Sequence, residues 1–193
     1  MTSLAVVPAA GAAERFGSDK LLANVGGAPL LERTVRSLLE GGVDRVVVVL
    51  GPAAAAVRER VPALQDGAVS VATNRQPERG MLSSIQQGLR GAQGDPVLVL
   101  PGDMPYVEPA TVAALLGRQR ETGAIVSPRF GGKHGHPVAI PGSLRDEILA
   151  AGPDATLHDV LRAHASQRLD LDVYDRGVLH DVDAPEDLSD RAP

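Results

Sequence analysis

Short apolar runs, separated by stretches of helical spacing, set the rhythm of this chain. Residues 4–7 are apolar without alternation, the pattern of a strand covered on both faces. Leu30, Leu31, Thr34, Val35, Leu38 and Leu39 then recur three and four apart, predicting a helix that Gly41 and Gly42 stop. Residues 45–50 are a β-branched run, a second buried strand. A short helix over 53–60, a strand over 68–73 and a helix over 83–90 follow. Residues 96–100 form another wholly apolar strand, with a helix over 109–117 behind it. Up to about Gly123 this alternation predicts an α/β fold, a Rossmann-like, doubly wound, mostly parallel sheet. Beyond it, strands over 124–127 and 137–140 flank Gly131-Gly132, which predicts a small antiparallel part in the C-terminal half. Helices over 143–151 and 156–165, strands over 169–174 and 178–183, and a last helical turn at Pro185 complete the pattern. With no repeat, low-complexity tract or linker, residues 1–193 read as a single domain.

Composition narrows the partners. Aromatic residues make up 2% of the chain, too few for base-stacking platforms, and the net charge is -5 with no basic run. Nucleic acid is therefore not an expected partner, and any bound phosphate belongs to a small molecule. There is no cysteine, so disulfides and thiolate metal sites are excluded. The apolar N-terminal stretch lacks the basic region of a signal peptide, and no run approaches the length of a membrane span. The expected location is cytoplasmic, with no membrane partner.

Four segments carry candidate chemistry. The first strand gives way to Ala9-Ala10-Gly11-Ala12-Ala13, where no bulky side chain keeps a ligand off the backbone. Arg15 and Lys20 follow closely. Exposed amides and cations after a strand suit phosphate oxygens. The spacing matches neither the dinucleotide fingerprint nor the Walker loop, and an ordinary strand-turn-helix opening is the alternative. Asp103, in Gly102-Asp-Met-Pro105, stands at the carboxyl end of a central strand, where open α/β sheets bind ligands. It serves there as a cation ligand or as a turn residue. If 178–183 is extended, Asp181 and Asp183 share a face, and paired carboxylates suit magnesium. Alternatively, Asp183 caps the turn at Pro185. Ser83 with Gln86, or Ser84 with Gln87, matches a capping box, a role compatible with ligand contact. His134-Gly-His136 has zinc-like spacing but no third ligand nearby, and better suits a pocket rim.

Together these segments resemble the MobA-like NTP transferase family, and within it the cytidylyltransferases that join a CMP unit to molybdopterin. The resemblance rests on the Ala-Ala-Gly loop with Arg15, Gly17 and Lys20, on residues 27–31, on Gly80-Met81 with Ser83-Ser84, on Gly102–Pro105, on Gly135-His-Pro137 and on the acidic run 181–187. Alanine at position 10 is like the cytidylyl branch. The resemblance implies transfer of an NMP unit, CMP from CTP, onto a phosphate-bearing acceptor, molybdopterin, with release of pyrophosphate. It implies catalytic roles for Arg15, Lys20 and Asp103, and Mg2+ on Asp103 and Asp183. Ala9, Ala10, Gly11, Ala12, Arg15, Lys20, Asn74, Ser84, Gly102 and Asp103 would hold the nucleotide, and Met81 and His136 the acceptor. A molybdoenzyme or an insertion factor would be the protein partner. The chain departs from that pattern at Pro8 (usually leucine), at Ala184 (usually threonine) and over 152–159, which is not rich in glycine and basic residues. Two alternatives remain. One is transfer to a sugar phosphate or another small phosphate. The other is a non-catalytic, nucleotide-dependent cofactor delivery protein, against which the paired aspartates weigh.

Overall fold

In the computed structural model, which describes residues 1–11 and 20–188, strand β1 (Leu4–Ala9) opens the chain. A hairpin of β2 (Asn24–Val25) and β3 (Ala28–Pro29) leads into helix α1 (Leu30–Glu40). Then come β4 (Arg45–Leu50), α2 (Ala55–Arg60), β5 (Val69–Thr73), α3 (Met81–Gly91), β6 (Val97–Val99) and α4 (Pro109–Thr122). The last part contains β7 (Ile125–Phe130), β8 (Lys133–His134), β9 (Val138–Ile140), α5 (Arg145–Ala150), α6 (Leu157–Ala163) and β10 (Arg168–Asp172).

The main sheet runs β10-β7-β9-β6-β1-β4-β5, with β8 paired to β7. Strand β1 is parallel to β4 and β6, β4 to β5, and β10 to β7. Strand β9 runs against both of its neighbours and β8 against β7. The mostly parallel sheet with a small antiparallel part is therefore the one the pattern predicts. Its central strands β1, β6 and, after Arg45, β4 are apolar because both faces are covered, whereas the edge strand β10 is half polar and partly exposed. Ala5 and Val7 face one layer with α1, α2 and α4, where Leu31, Val57 and Leu115 pack. Leu4 and Val6 face the other with α3, α5 and α6, where Ile85, Ile148 and Leu161 pack. Burying a leucine or valine side chain contributes roughly 1.5–3 kcal/mol, so both layers hold the central strands in place.

Among the differences from the sequence pattern, three have a plain physical cause. Helix α4 passes Gly117 and ends at Gly123, whose φ of 66° is the left-handed close of a helix. Buried Leu115, Leu116 and Gln119 hold it on both sides of Gly117, which offsets the helix penalty of one glycine. Helix α3 starts at Met81, two residues before Ser83. Residues 178–183 are not a strand of the sheet: Arg176–Leu179 is a 3-10 turn, and the chain then runs on as a strap over α1. The apolar signal there is genuine burial of another kind. Val178 and Val182 are fully buried, and Val182 packs on Val25 and Leu30.

Candidate active site

The carboxyl ends of the neighbouring strands β1 and β6, with Lys20, Asp183 and the start of α3, build a cleft of about 600 Å3. The turn after β6 lies against the loop after β1, where Gly102 N–H donates to the Pro8 carbonyl at 3.0 Å. A Cβ at position 102 would stand 2.7 Å from that of Ala9, so glycine is what lets the two backbones meet. Thr34 of α1 fixes the same turn from below, its hydroxyl donating to the Gly102 carbonyl at 3.2 Å. Asp103 is thereby aimed into the cleft beside Ala9, Ala10 and Gly11. The strap is tied to this turn by Val182 N–H, which donates to the Asp103 carbonyl at 2.9 Å.

One ammonium joins the two ends of the chain. Lys20 Nζ lies 2.9 Å from Asp103 Oδ2 and 3.0 Å from Asp183 Oδ1. Burial disfavours the charged lysine, but hydrogen bonds and attraction from Asp103 and Asp183 outweigh that cost and raise its pKa above the usual value. The two carboxylates therefore face a single cation position. Their hard oxygens suit a divalent ion that fills its shell with water and phosphate oxygens, as Mg2+ does. Among the described residues no cluster of three or more His, Asp or Glu side chains stands at metal-binding spacing, so substrate or solvent oxygens would have to complete such a shell.

Asp183 is a lysine partner rather than a cap. The cap of that turn is Asp187, whose Oδ2 accepts from Asp183 N–H at 2.9 Å and Ala184 N–H at 2.8 Å. Those two bonds, Ala184 first, hold the Asp187 carboxyl below its usual pKa. Asp187 thus sets where Asp183 stands. The sequence offered a signal for this, the acid four residues on, but it read equally as a helix-opening acid.

Ser84 and Met81 also line the cleft. The S-x-x-Q box does not form. With α3 starting at Met81, Ser83 is inside its first turn and its hydroxyl donates to the Gly80 carbonyl. Gln86 instead donates to the Ile148 and Ala151 carbonyls, tying α3 to α5. Asn74 stands behind Ser84, its amide donating to Ser83 Oγ at 2.8 Å and Ser84 Oγ at 3.0 Å. Gly102 lies buried below the cleft floor. Ala12 and Arg15 fall outside the described residues.

A second cleft, of about 690 Å3, shares Gly80 and Met81 with the first. His136 and Val138 line it from the start of β9, with Arg168, Leu157 and Leu161 opposite. Burial pushes the His136 pKa below its usual value, against the opposing pull of the Val99 carbonyl and of Asp103 and Asp181. His134 lines the same cleft, but its Nε2 meets Asp170 Oδ1 at 2.9 Å whereas His136 Nδ1 lies by the Val99 carbonyl, so the two rings have different partners. Arg168 had no sequence signal, being an isolated cation at the start of an edge strand.

Comparisons with known proteins agree with this geometry. The chain is 34% identical over 129 residues to the bifunctional protein GlmU of Roseobacter denitrificans, covering 65% of this chain and only 28% of that protein. The structure of Rv0371c from Mycobacterium tuberculosis matches with a TM-score of 0.79 at 25% identity, over 97% of this chain and 96% of that one. Rv0371c has also been solved in complex with manganese. A nucleotidyl transferase from Methanothermobacter, Mth528, matches with a TM-score of 0.80 at 26% identity, over 96% of this chain and 94% of the other. Residues 5–169 match the MobA-like NTP transferase domain, and the chain belongs to that family of nucleotidyltransferases.

Proposed function

We propose that residues 1–193 act as one cytoplasmic nucleotidyltransferase domain that moves CMP from CTP onto the phosphate of molybdopterin and releases pyrophosphate. The observation that carries this reading is the Lys20 ammonium held between Asp103 and Asp183 at the mouth of a cleft floored by Ala9–Gly11. Small residues there let a nucleotide lie against the backbone, and the Ala10 identity favours cytosine. Asn74 acts through Ser84, which it holds toward the nucleotide.

In the reaction, an oxygen of the acceptor phosphate forms a bond to the α-phosphorus of the triphosphate, and the bond from that phosphorus to the bridging oxygen breaks. The electron pair leaves with pyrophosphate. A phosphate monoester is already anionic near neutral pH, so no side chain has to remove a proton. The protein's work is to align two anions and to neutralise charge as it moves to the leaving group. Lys20 and Arg15 supply positive charge, and Asp103 with Asp183 would hold Mg2+, a Lewis acid for the phosphoryl oxygens. The second cleft is where the acceptor would rest, with Met81 between the two substrates and His136, kept neutral by burial, on its wall. Its volume and its apolar lining from Leu82, Val138 and Leu161 favour an acceptor with a ring system over a bare sugar phosphate. A molybdoenzyme or insertion factor would then receive the product.

Pyrophosphate release measured with CTP, GTP, ATP and UTP, each with molybdopterin or a sugar 1-phosphate, tests this reading. Release is expected with CTP and molybdopterin, and Asp103→Asn should slow it roughly 100-fold. Release only with the sugar 1-phosphate would move the protein to that acceptor class. Nucleotide binding without release in any pairing would make it a delivery protein instead.

A further inference from the structure

A third concavity, of about 370 Å3, lies between the end of β5 and α3 and among the described residues shares none with the first cleft, the proposed donor cleft. Among the described residues its walls carry Arg75, Arg79 and Arg90, with Thr73, Asn74 and glutamines between them, and no carboxylate and no large apolar side chain. Among the described residues none of these three guanidinium groups makes an ion pair. Arg79 donates only to Gln76 Oε1, at 3.3 Å. Arg36, Arg118, Arg120, Arg129 and Arg162 each have an acidic partner; other described arginines, Arg33 and Arg58 among them, also make no ion pair, so what sets these three apart is that they share one concavity. In a chain with a net charge of -5, three unneutralised cations around one hollow repel one another, and an anion between them would relieve that repulsion.

The wall is also set before any ligand arrives. The Asn74 amide donates to Ser83 and Ser84, and its Oδ1 accepts from Gln76 N–H at 2.9 Å. The Gln86 amide is fixed on α5 carbonyls. We propose that this groove is a binding site for a small polyphosphate, free or carried by a nucleotide. Guanidinium forks match phosphate oxygens in pairs. The net negative charge and the scarcity of aromatic residues make nucleic acid a poor occupant. The occupant would sit one hydrogen-bond relay, through Asn74, from Ser84 in the donor cleft.

The test is calorimetric titration of inorganic tripolyphosphate, at low salt, into the full chain carrying Lys20→Met, which weakens anion binding in the donor cleft. Saturable binding is expected there. Adding Arg75→Gln and Arg90→Gln should weaken it at least about tenfold, since each substitution removes a charge-assisted hydrogen bond to the anion. Both arginines are exposed, so the variants should keep the Tm of their parent. Unchanged affinity after the arginine substitutions, or no saturable binding before them, overturns the site. CTP titrated into the same pair of proteins separates the sources: a loss of CTP affinity on the arginine substitutions equal to that of tripolyphosphate assigns the groove to a phosphate chain that a nucleotide can carry, and CTP affinity untouched by them restricts it to free polyphosphate.

Discussion

At Lys20 one side chain occupies the place where two carboxylates would otherwise hold a metal ion. On the proposed reading, the ammonium would have to move toward the triphosphate before a divalent cation could enter between Asp103 and Asp183. Lys20→Met should therefore tighten Mn2+ binding to the nucleotide-free protein about tenfold, a modest gain because Asp183 is well exposed to screening solvent. The same variant should lose roughly 100-fold in turnover. Mn2+ titration followed by electron paramagnetic resonance checks the first part, and unchanged or weaker metal binding would contradict it. His136 makes a second residue-scale prediction. Its pKa falls on folding, chiefly through burial, so below about pH 6.5 the folded state binds fewer protons than the unfolded chain. The stability it contributes is whole above that pH and is lost as the pH falls toward the folded value. His136→Gln should flatten the decline of Tm between about pH 7 and pH 5, and parallel curves for the two proteins would refute this.

At the scale of elements, the strap beyond β10 decides whether the site exists. Asp175 is 4% exposed, and its carboxylate accepts from Glu108 N–H and Gly177 N–H, both at 2.8 Å, pinning the strap to the start of α4. At Gly177 the strap passes so close to the Tyr106 carbonyl that no Cβ would fit. Asp175→Ala leaves two backbone donors without their partner and should cost about 1–3 kcal/mol, read as a lower Tm. It should also weaken metal and nucleotide binding, because Asp183 rides on the strap. A variant with the expected Tm loss but unaltered binding would show that the strap does not position Asp183. This element was the one least legible in the sequence. The strands 4–7, 45–50 and 96–100 were readable because burial on both faces demands unbroken apolar runs. The strap also buries its valines, Val178 and Val182, but under loops and helices with no sheet partner, and a short apolar alternation does not reveal which. The pairing of Asp103 with Asp183 was legible only through the resemblance, since nothing local in either segment points to the other. The contacts of Gln86 were illegible for the same reason: they depend on which distant backbone the fold brings alongside.

Over the whole molecule, the proposed division of labour between the two clefts follows the reversed strand β9. The donor cleft sits at the carboxyl ends of β1 and β6, on the all-parallel side of the sheet. The second cleft is framed by β9, by the start of β10 and by α6, on the part where strand direction changes. Among the described residues only Gly80 and Met81 belong to both. A substitution deep in the second cleft should thus disturb one substrate and spare the other. Arg168 is the most informative position. It leads β10, lines the second cleft alone and donates weakly to Ser127 Oγ at 3.4 Å, leaving most of its guanidinium for an acceptor anion. Arg168→Ala should raise KM for the acceptor about tenfold, the worth of one charged hydrogen bond, while KM for CTP in pyrophosphate exchange stays within about twofold. Equal rises in both constants would mean that the clefts are one site, and that the strand reversal separates nothing.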